Sequence, residues 1–121
     1  MMRVFGIRGA TSVEKNTPEN ILAGTQELLT ALIEANQIRQ ENVVSMIFTS
    51  TPDLTAEFPA KACRMMGWHN VPLLDAVEIN VPHGLPCCIR VLIHAYLEKD
   101  HVVKPIYLHQ AVKLRPDLAK I

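Results

Sequence analysis

The 121-residue sequence has no excess of either charge, because twelve Lys and Arg balance twelve Asp and Glu. A nucleic-acid-binding domain or a polybasic membrane-surface protein normally carries a basic excess, so we expect neither nucleic acid nor membrane as a partner. No apolar run approaches the roughly 18 residues that span a bilayer. The first eight residues also lack the apolar core of a signal peptide. These absences predict a cytoplasmic protein.

Cysteine is scarce, with three residues at Cys63, Cys87 and Cys88. An odd number with two adjacent members is a poor disulfide framework, and the lack of a CxxC pair disfavours a zinc site. The five histidines show neither HxxxH nor HxH spacing. Glycine-rich nucleotide loops and a GxSxG nucleophile motif are absent as well. The sequence therefore shows no metal site, nucleotide-binding loop or marked nucleophile.

What is present is the composition of one globular domain covering residues 1–121, with 49% hydrophobic and 20% charged residues. A monomer of this size buries only about two-thirds of its unfolded surface. A deep and fully enclosed cleft is hard to build from one such copy. An interface between copies is the natural alternative.

Hydrophobic periodicity predicts the order β-α-β-α-β-β-β followed by a short helix or turn. This order indicates an α+β fold, a mixed β-sheet with helices on one face. The nearly continuous apolar run at residues 43–49 predicts a strand that is buried on both faces. Residues 88–97 are also apolar on both sides, apart from Arg90 and His94. Burial of both faces favours an oligomer. A helix is the alternative for residues 88–97. The predicted strands are Arg3–Val13, Val43–Thr49, Pro72–Val81, Cys88–Leu97 and Pro105–Leu108; the helices begin after Thr17 and at Pro59 and end near Asn36 and Gly67; the last piece is Ala111–Arg115.

Isolated charges inside the apolar strands are the best candidates for chemistry. Arg90 is either a structural ion pair, for which Glu78 is a candidate partner, or a guanidinium that grips a carboxylate or a developing negative oxygen. Asp75 repeats the pattern, but strict alternation places Asp75 and Glu78 on opposite faces of a strand. Arg8 lies between Gly6 and Gly9, which permit close approach of a ligand or another backbone.

Other candidates have ordinary explanations. Lys61 and Arg64 could form a solvated helix face, and Arg115 could belong to a terminal turn. Tyr107 could be a core aromatic residue with its hydroxyl at the rim. The residues alone thus predict an α+β oligomer with a cationic site for a small anion.

Several segments, taken in order, resemble the monofunctional, trimeric AroH-type chorismate mutases. The resemblance spans nearly the whole chain, and its specificity comes from the ordered set rather than from any one piece. The segments are Ile7–Glu14, Ser50–Leu54, Phe58–Ala62, Gly67–Trp68, Val71–Pro72, Cys88–Val91, Tyr107–Leu108 and Leu114–Leu118.

The resemblance implies conversion of chorismate to prephenate, a [3,3] rearrangement in the biosynthesis of phenylalanine and tyrosine. It also implies a homotrimer, a pseudo-α/β-barrel with active sites in clefts between subunits. This reaction needs no nucleophile, metal or cofactor, which agrees with the missing motifs. A trimer that only binds small carboxylates, or one that catalyses another reaction such as imine hydrolysis, remains an alternative.

The resemblance also implies roles for single residues. Arg90 corresponds to the donor that contacts the ether oxygen of the breaking C–O bond, Arg8 to a carboxylate ligand, and Glu78 to the carboxylate that engages the substrate hydroxyl. Asp75 stands where some relatives have Cys and would add negative charge beside Glu78. The residues implied to bind substrate are Phe58, Ala60, Lys61, Arg64, Leu73, Leu74, Asp75, Tyr107, Leu114 and Arg115.

Overall fold

A computed structural model describes residues 1–118 of the chain. The predicted order of elements is confirmed, and residues 88–97 form a strand rather than a helix. Two 3₁₀ turns, of which the first was not predicted, cover Gln40–Asn42 and His109–Leu114. The regular elements are strand β1 (Met2–Ser12), helix α1 (Pro18–Asn36), strand β2 (Val43–Ser50), helix α2 (Ala60–Met65), and strands β3 (Leu73–Val77), β4 (Cys88–Glu98) and β5 (Ile106–Tyr107).

The five strands form one mixed sheet in the order β3-β2-β4-β1-β5. The central strand β4 runs antiparallel to both neighbours and pairs with β1 along its full length, from Met2 opposite Glu98 to Ser12 opposite Cys88. The outer strands β3 and β5 run parallel to β2 and β1. None of the helices in residues 1–118 is long and apolar enough to cross a bilayer.

The third predicted strand is too long, because β3 ends at Val77 rather than at Val81. Its partner β2 ends at Ser50, whose carbonyl accepts the last ladder bond from the Glu78 N–H at 2.9 Å. Beyond that point β2 offers no further partner, and Pro82 and Pro86 have no N–H to donate. Residues 79–87 therefore form a loop between β3 and β4.

Helix α1 begins and ends for local reasons. The Thr17 hydroxyl accepts the Asn20 N–H at 3.1 Å, and proline occupies the first helical position. Asn36, the predicted terminator, is the last helical residue, while Gln37 takes the left-handed conformation. The buried Asn36 side chain also bonds the backbone N–H and carbonyl of Lys104 at 2.8 and 2.9 Å, which ties the β4–β5 connection to the helix.

Both helices pack on the same face of the sheet, which we call the covered face. The core there joins Leu28 and Leu32 of α1 and Cys63 of α2 to Phe48 and Ile93 of the sheet. Gly9 permits this approach, since a Cβ added there would lie 2.7 Å from Leu32 Cδ1. A larger residue at this position would push α1 away from β1.

The other face of the sheet, the open face, carries no helix within residues 1–118. On β4 the buried residues Val91, Ile93 and Ala95 alternate with Arg90, Leu92 and Tyr96, which are exposed. The predictions that residues 43–49 and residues 88–97 are buried on both faces are wrong for the single chain. Met46 and Phe48 are buried on the covered face, whereas Ile47 and Thr49 remain partly exposed because no layer covers the open face.

Candidate active site

Arg90 and Glu78 meet on the open face of the sheet. Arg90 Nε lies 3.0 Å from Glu78 Oε2, so the ion pair that the sequence offered as one alternative is present. Thr49, directly opposite Arg90 in the β2–β4 register, donates its hydroxyl to the same carboxylate oxygen at 2.7 Å. The Glu78 side chain is 13% exposed, but that of Arg90 is 51% exposed. Half of the guanidinium side chain therefore remains available beyond the pair.

The exposed part of Arg90 lies in a cavity of about 630 Å³, which we call the arginine cavity. Strands β1, β2, β4 and β5 form its floor, and Ala10 of β1 lies between Arg90 on one side and Tyr107 on the other. The 3₁₀ turn at the C-terminal side adds Leu114, followed by Arg115. Its lining includes Arg8, Arg90, Tyr107, Leu114 and Arg115.

The arginine cavity is suited to an anion. Arg115 pairs with Asp117 at 2.9 Å, and the hydrogen bond from Arg115 holds the pKa of that carboxyl below its usual range. Within residues 1–118, Arg8 has no ion-pair partner within 4 Å. Within the described residues, the three guanidinium groups of the cavity are therefore balanced by two paired carboxylates, those of Glu78 and Asp117. Because arginine stays charged at neutral pH and presents a rigid fork of donors, the cavity can hold a carboxylate without a change in protonation.

Seven further residues implied to bind substrate lie outside the arginine cavity. Near the start of α2, Phe58 is 65% exposed, Ala60 is buried, and Lys61 pairs with Glu57 at 3.0 Å. On β3, Leu74 is exposed and pairs with Ile47, while Leu73 packs against the core. We call the whole set the α2–β3 group: Phe58, Ala60, Lys61, Arg64, Leu73, Leu74 and Asp75.

Asp75 faces α2 rather than Glu78. Its Oδ1 accepts the Ala60 N–H at 3.1 Å, at the start of a helix whose own N-cap, Pro59, supplies no side-chain bond. Burial raises the pKa of Asp75, although the Ala60 hydrogen bond and the Arg64 charge act in the opposite direction. Phe58 and Asp75 line a separate cavity of about 410 Å³. The chain thus presents the implied site residues as two groups in different places.

The three cysteines are poor nucleophiles. Burial raises the pKa of Cys63 and of Cys88 to about 11, so both remain protonated thiols near neutral pH. Burial also raises the pKa of Cys87, and the neighbouring Asp53 adds to the effect. In residues 1–118, His, Cys, Asp and Glu form no group of three or more that could hold a metal ion.

A larger cavity of about 840 Å³ lies between α1 and the C-terminal 3₁₀ turn. Its wall carries Glu14, Glu19 and Glu27, and His109 pairs with Glu27 at 2.9 Å. Carboxylates dominate this surface, so it would repel a small anion. Charge therefore favours the arginine cavity as the candidate site, although it is the smaller of the two.

Sequence reasoning missed Thr49, which holds Glu78 against Arg90. Thr49 lies near the end of an apolar strand, and nothing in the sequence around it indicates a functional site. Only the register that sets Thr49 opposite Arg90 reveals its contact. A sequence alone does not supply that register.

Comparison with known proteins agrees with the fold and identifies the family. The family model described as chorismate mutase type I matches residues 4–118. The chain is similar to chorismate mutase AroH from Thermus thermophilus (51% identity, 95% of this chain and 96% of the relative) and from Bacillus subtilis strain 168 (45% identity, 98% and 94%). It is also similar to the solved structure of a chorismate mutase from Clostridium thermocellum, with a TM-score of 0.84, 44% identity, and coverage of 88% of this chain and 96% of that chain. The resemblance found in the sequence is confirmed, and the chain belongs to the chorismate mutase type I family.

Proposed function

We propose that this chain is a cytoplasmic chorismate mutase that converts chorismate to prephenate for the biosynthesis of phenylalanine and tyrosine. Membership in the family supports the reaction. The observation that carries the proposal to this chain is the half-exposed Arg90, fixed by Glu78 and facing a cavity with two further arginines. Chorismate is a dicarboxylate, and a cationic cavity of this kind matches its charge.

The reaction breaks a C–O bond and forms a C–C bond within one molecule, so no proton, electron or leaving group is exchanged with the protein. Negative charge grows on the ether oxygen as the C–O bond lengthens. A guanidinium already fixed beside that oxygen stabilises the transition state more than the ground state. Arg90 is the proposed donor, and Glu78 with Thr49 prevents its reorientation.

The remaining residues of the arginine cavity are proposed to hold the substrate. Arg8, assisted by Tyr107, binds a carboxylate, and Arg115 with Leu114 closes the cavity from the C-terminal side. Glu78 has a second oxygen for the substrate hydroxyl. These groups select the compact conformer in which the reacting carbons lie close together.

The complete site is proposed to form between subunits of a homotrimer. Support comes from Phe58 and Asp75 of the α2–β3 group, which line a cavity other than the arginine cavity within one chain. Further support comes from the open face, where Val4, Leu92 and Tyr96 are apolar and 38–48% exposed. If the open faces of three copies pack together into a pseudo-α/β-barrel, the apolar face is buried and the α2–β3 group of one copy can complete the arginine cavity of the next.

The test is the loss of chorismate absorbance with purified wild-type protein and with Arg90→Ala. We expect wild-type turnover that EDTA does not change, and a fall in kcat of at least about 10²–10³ in Arg90→Ala, the usual loss for one donor to a developing charge. Arg39→Ala is the matched control, because Arg39 pairs with Glu41 at the surface, away from the cavity.

Two results would overturn parts of the proposal. Wild-type protein that binds chorismate without consuming it would be a binding module rather than an enzyme. Near-normal turnover in Arg90→Ala would remove Arg90 from the central role while leaving the reaction in place.

A further inference from the structure

The turn that follows β2 makes a set of polar contacts that the proposed reaction does not use. Asp53 accepts the Cys87 N–H on both carboxylate oxygens, at 3.2 and 2.9 Å. It also accepts the Thr51 hydroxyl at 2.5 Å, and Cys87 Sγ lies 3.5 Å from Oδ2. An exposed aspartate thus joins the end of β2 to the residue that precedes β4.

The backbone conformation of Cys87 is unusual. Its φ of 54° lies in the left-handed region, which side-chain-bearing residues other than Asn and Asp rarely adopt. The Cys87 N–H donates to Asp53, and the Cys87 carbonyl accepts the Val13 N–H at 2.9 Å. The Cys87 peptide groups are therefore fixed from two sides, which is what a strained conformation needs to persist.

Thr51 extends the connection to the first residue of β4. Its N–H donates to the Cys88 carbonyl and its hydroxyl accepts the Cys88 N–H, both at 3.0 Å. Arg90 follows two residues later and lies opposite Thr49, which holds Glu78. A shift of the Cys87–Cys88 backbone would therefore pass directly to the Arg90–Glu78 pair.

We propose that Asp53 is a positioning residue for Arg90: its carboxylate holds Cys87 in the left-handed conformation and thereby sets where β4 begins relative to Glu78. The inference rests on the proposed function, because it assigns Asp53 a role through Arg90. Asp53, Glu78 and Arg90 border one cavity of about 450 Å³, but the hydrogen bonds of Asp53 are made with Thr51 and Cys87, and we call these contacts the clamp. Asp53 thus acts through the backbone and does not touch the guanidinium.

The charge state of Asp53 suits this role. Desolvation raises the pKa of Asp53, but the hydrogen bonds from Thr51 and Cys87 outweigh it and leave the pKa below the usual value. Asp53 is therefore a carboxylate with two accepting oxygens at neutral pH. An asparagine would keep the shape but could accept on only one atom.

The experiment compares wild type with Asp53→Asn and Asp53→Ala, and uses Asp100→Asn, an exposed aspartate after β4, as the control. Steady-state kinetics gives kcat and KM, and native alkylation with iodoacetamide followed by mass spectrometry gives the modification rate of Cys87. We expect kcat to fall roughly tenfold to a hundredfold, as for a small misplacement of a catalytic group, with little change in KM. Cys87 should react faster, since Asp53 raises the pKa of its thiol, while the buried Cys63 and Cys88 stay unreactive.

A rescue variant separates positioning from general stability. Cys87→Gly lets the backbone take the left-handed conformation without help, so it should restore much of the kcat lost in Asp53→Ala. Thermal unfolding of each variant shows which proteins are folded at the assay temperature. A residue that matters only for stability would lower the unfolding midpoint without this recovery of kcat.

The outcomes are distinguishable. Unchanged alkylation of Cys87 in Asp53→Asn overturns the clamp whether or not the protein is an enzyme. Faster alkylation with unchanged kcat overturns the positioning role. Absence of turnover in the wild type is instead a failure of the proposed function, and the inference about Arg90 falls with it.

Discussion

The two faces of β4 differ although their residues alternate along one strand. Val91, Ile93 and Ala95 are at most 2% exposed beneath the helices, whereas Leu92 and Tyr96 on the open face are 38% and 48% exposed. Each large side chain buried on the covered face contributes about 1.5–3 kcal/mol to folding. The open face contributes little of this in a single chain, yet it carries Arg90. The covered face of β4 therefore carries residues that stabilise the chain, and its open face carries a residue that is proposed to act on substrate.

Charging the open face should have the largest effect. Tyr96→Glu places a carboxylate beside Val4, its cross-strand neighbour, where a second copy is proposed to pack. We expect the proposed trimer to dissociate and turnover to fall at least about a hundredfold, because the site would lose the residues proposed to position substrate from the neighbouring copy. Sedimentation velocity and the chorismate assay on the same samples measure both effects.

Thr30→Glu is the control for this change, since Thr30 is exposed on α1. It should alter neither size nor turnover. A trimer of Tyr96→Glu with normal activity would show that the open face is not the interface.

Truncation on the covered face should have the opposite signature. Ile93→Ala removes a fully buried side chain from the core and should lower the free energy of unfolding by about 2–5 kcal/mol. The kcat of the folded protein should change little, because Ile93 points away from the arginine cavity. Chemical denaturation at one fixed protein concentration, with kinetics on the folded protein, tests this. A tenfold loss of kcat without a loss of stability would contradict the separation of the two faces.

A smaller loss of stability is expected from Asn36, a buried polar residue of α1 on the covered face. Asn36→Ala removes the side chain that bonds both backbone groups of Lys104 and leaves them without those partners. We expect a loss of about 1–3 kcal/mol in unfolding free energy. Thermal unfolding measures it, with the exposed Thr30→Ala as the control. An unchanged midpoint would show that water replaces the Asn36 bonds at no cost.

The smallest effect concerns Asp75. Because burial raises its pKa above the usual 3.8, the folded state holds the Asp75 proton more tightly than the unfolded state does. Its contribution to stability is therefore fully present below pH 3.8 and is lost as the pH rises through the folded pKa. Asp75→Asn should lack this decline, so its unfolding free energy relative to wild type rises across that window. A pH-independent difference between the two proteins would contradict the raised pKa.

Periodicity predicted most of the fold because the signals are local. The Thr17 cap, the apolar stripe of α1 and the alternation in β4 depend on neighbours within a few residues. The end of β3 was mispredicted because it depends on where its partner β2 ends. No property of residues 78–81 records the position of Ser50.

The candidate site was predictable as residue types but not as an arrangement. An arginine in an apolar strand indicated a site, and the ordered resemblance indicated which one. Thr49 and Asp53 stayed hidden because their roles come from register and from a turn that joins distant parts of the chain. The division into an arginine cavity and an α2–β3 group also appears only once the strands are placed side by side.

The most direct test of the central claim mixes two inactive variants. Arg90→Ala disables the arginine cavity, and the double variant Lys61→Glu, Arg64→Glu reverses charge in the α2–β3 group. When the two are unfolded together in equal amounts and refolded, about a quarter of the sites in random trimers should combine two intact halves. Turnover near that fraction of wild type, absent from either variant refolded alone, is the predicted result. A mixture no more active than its two components would contradict a site shared between copies.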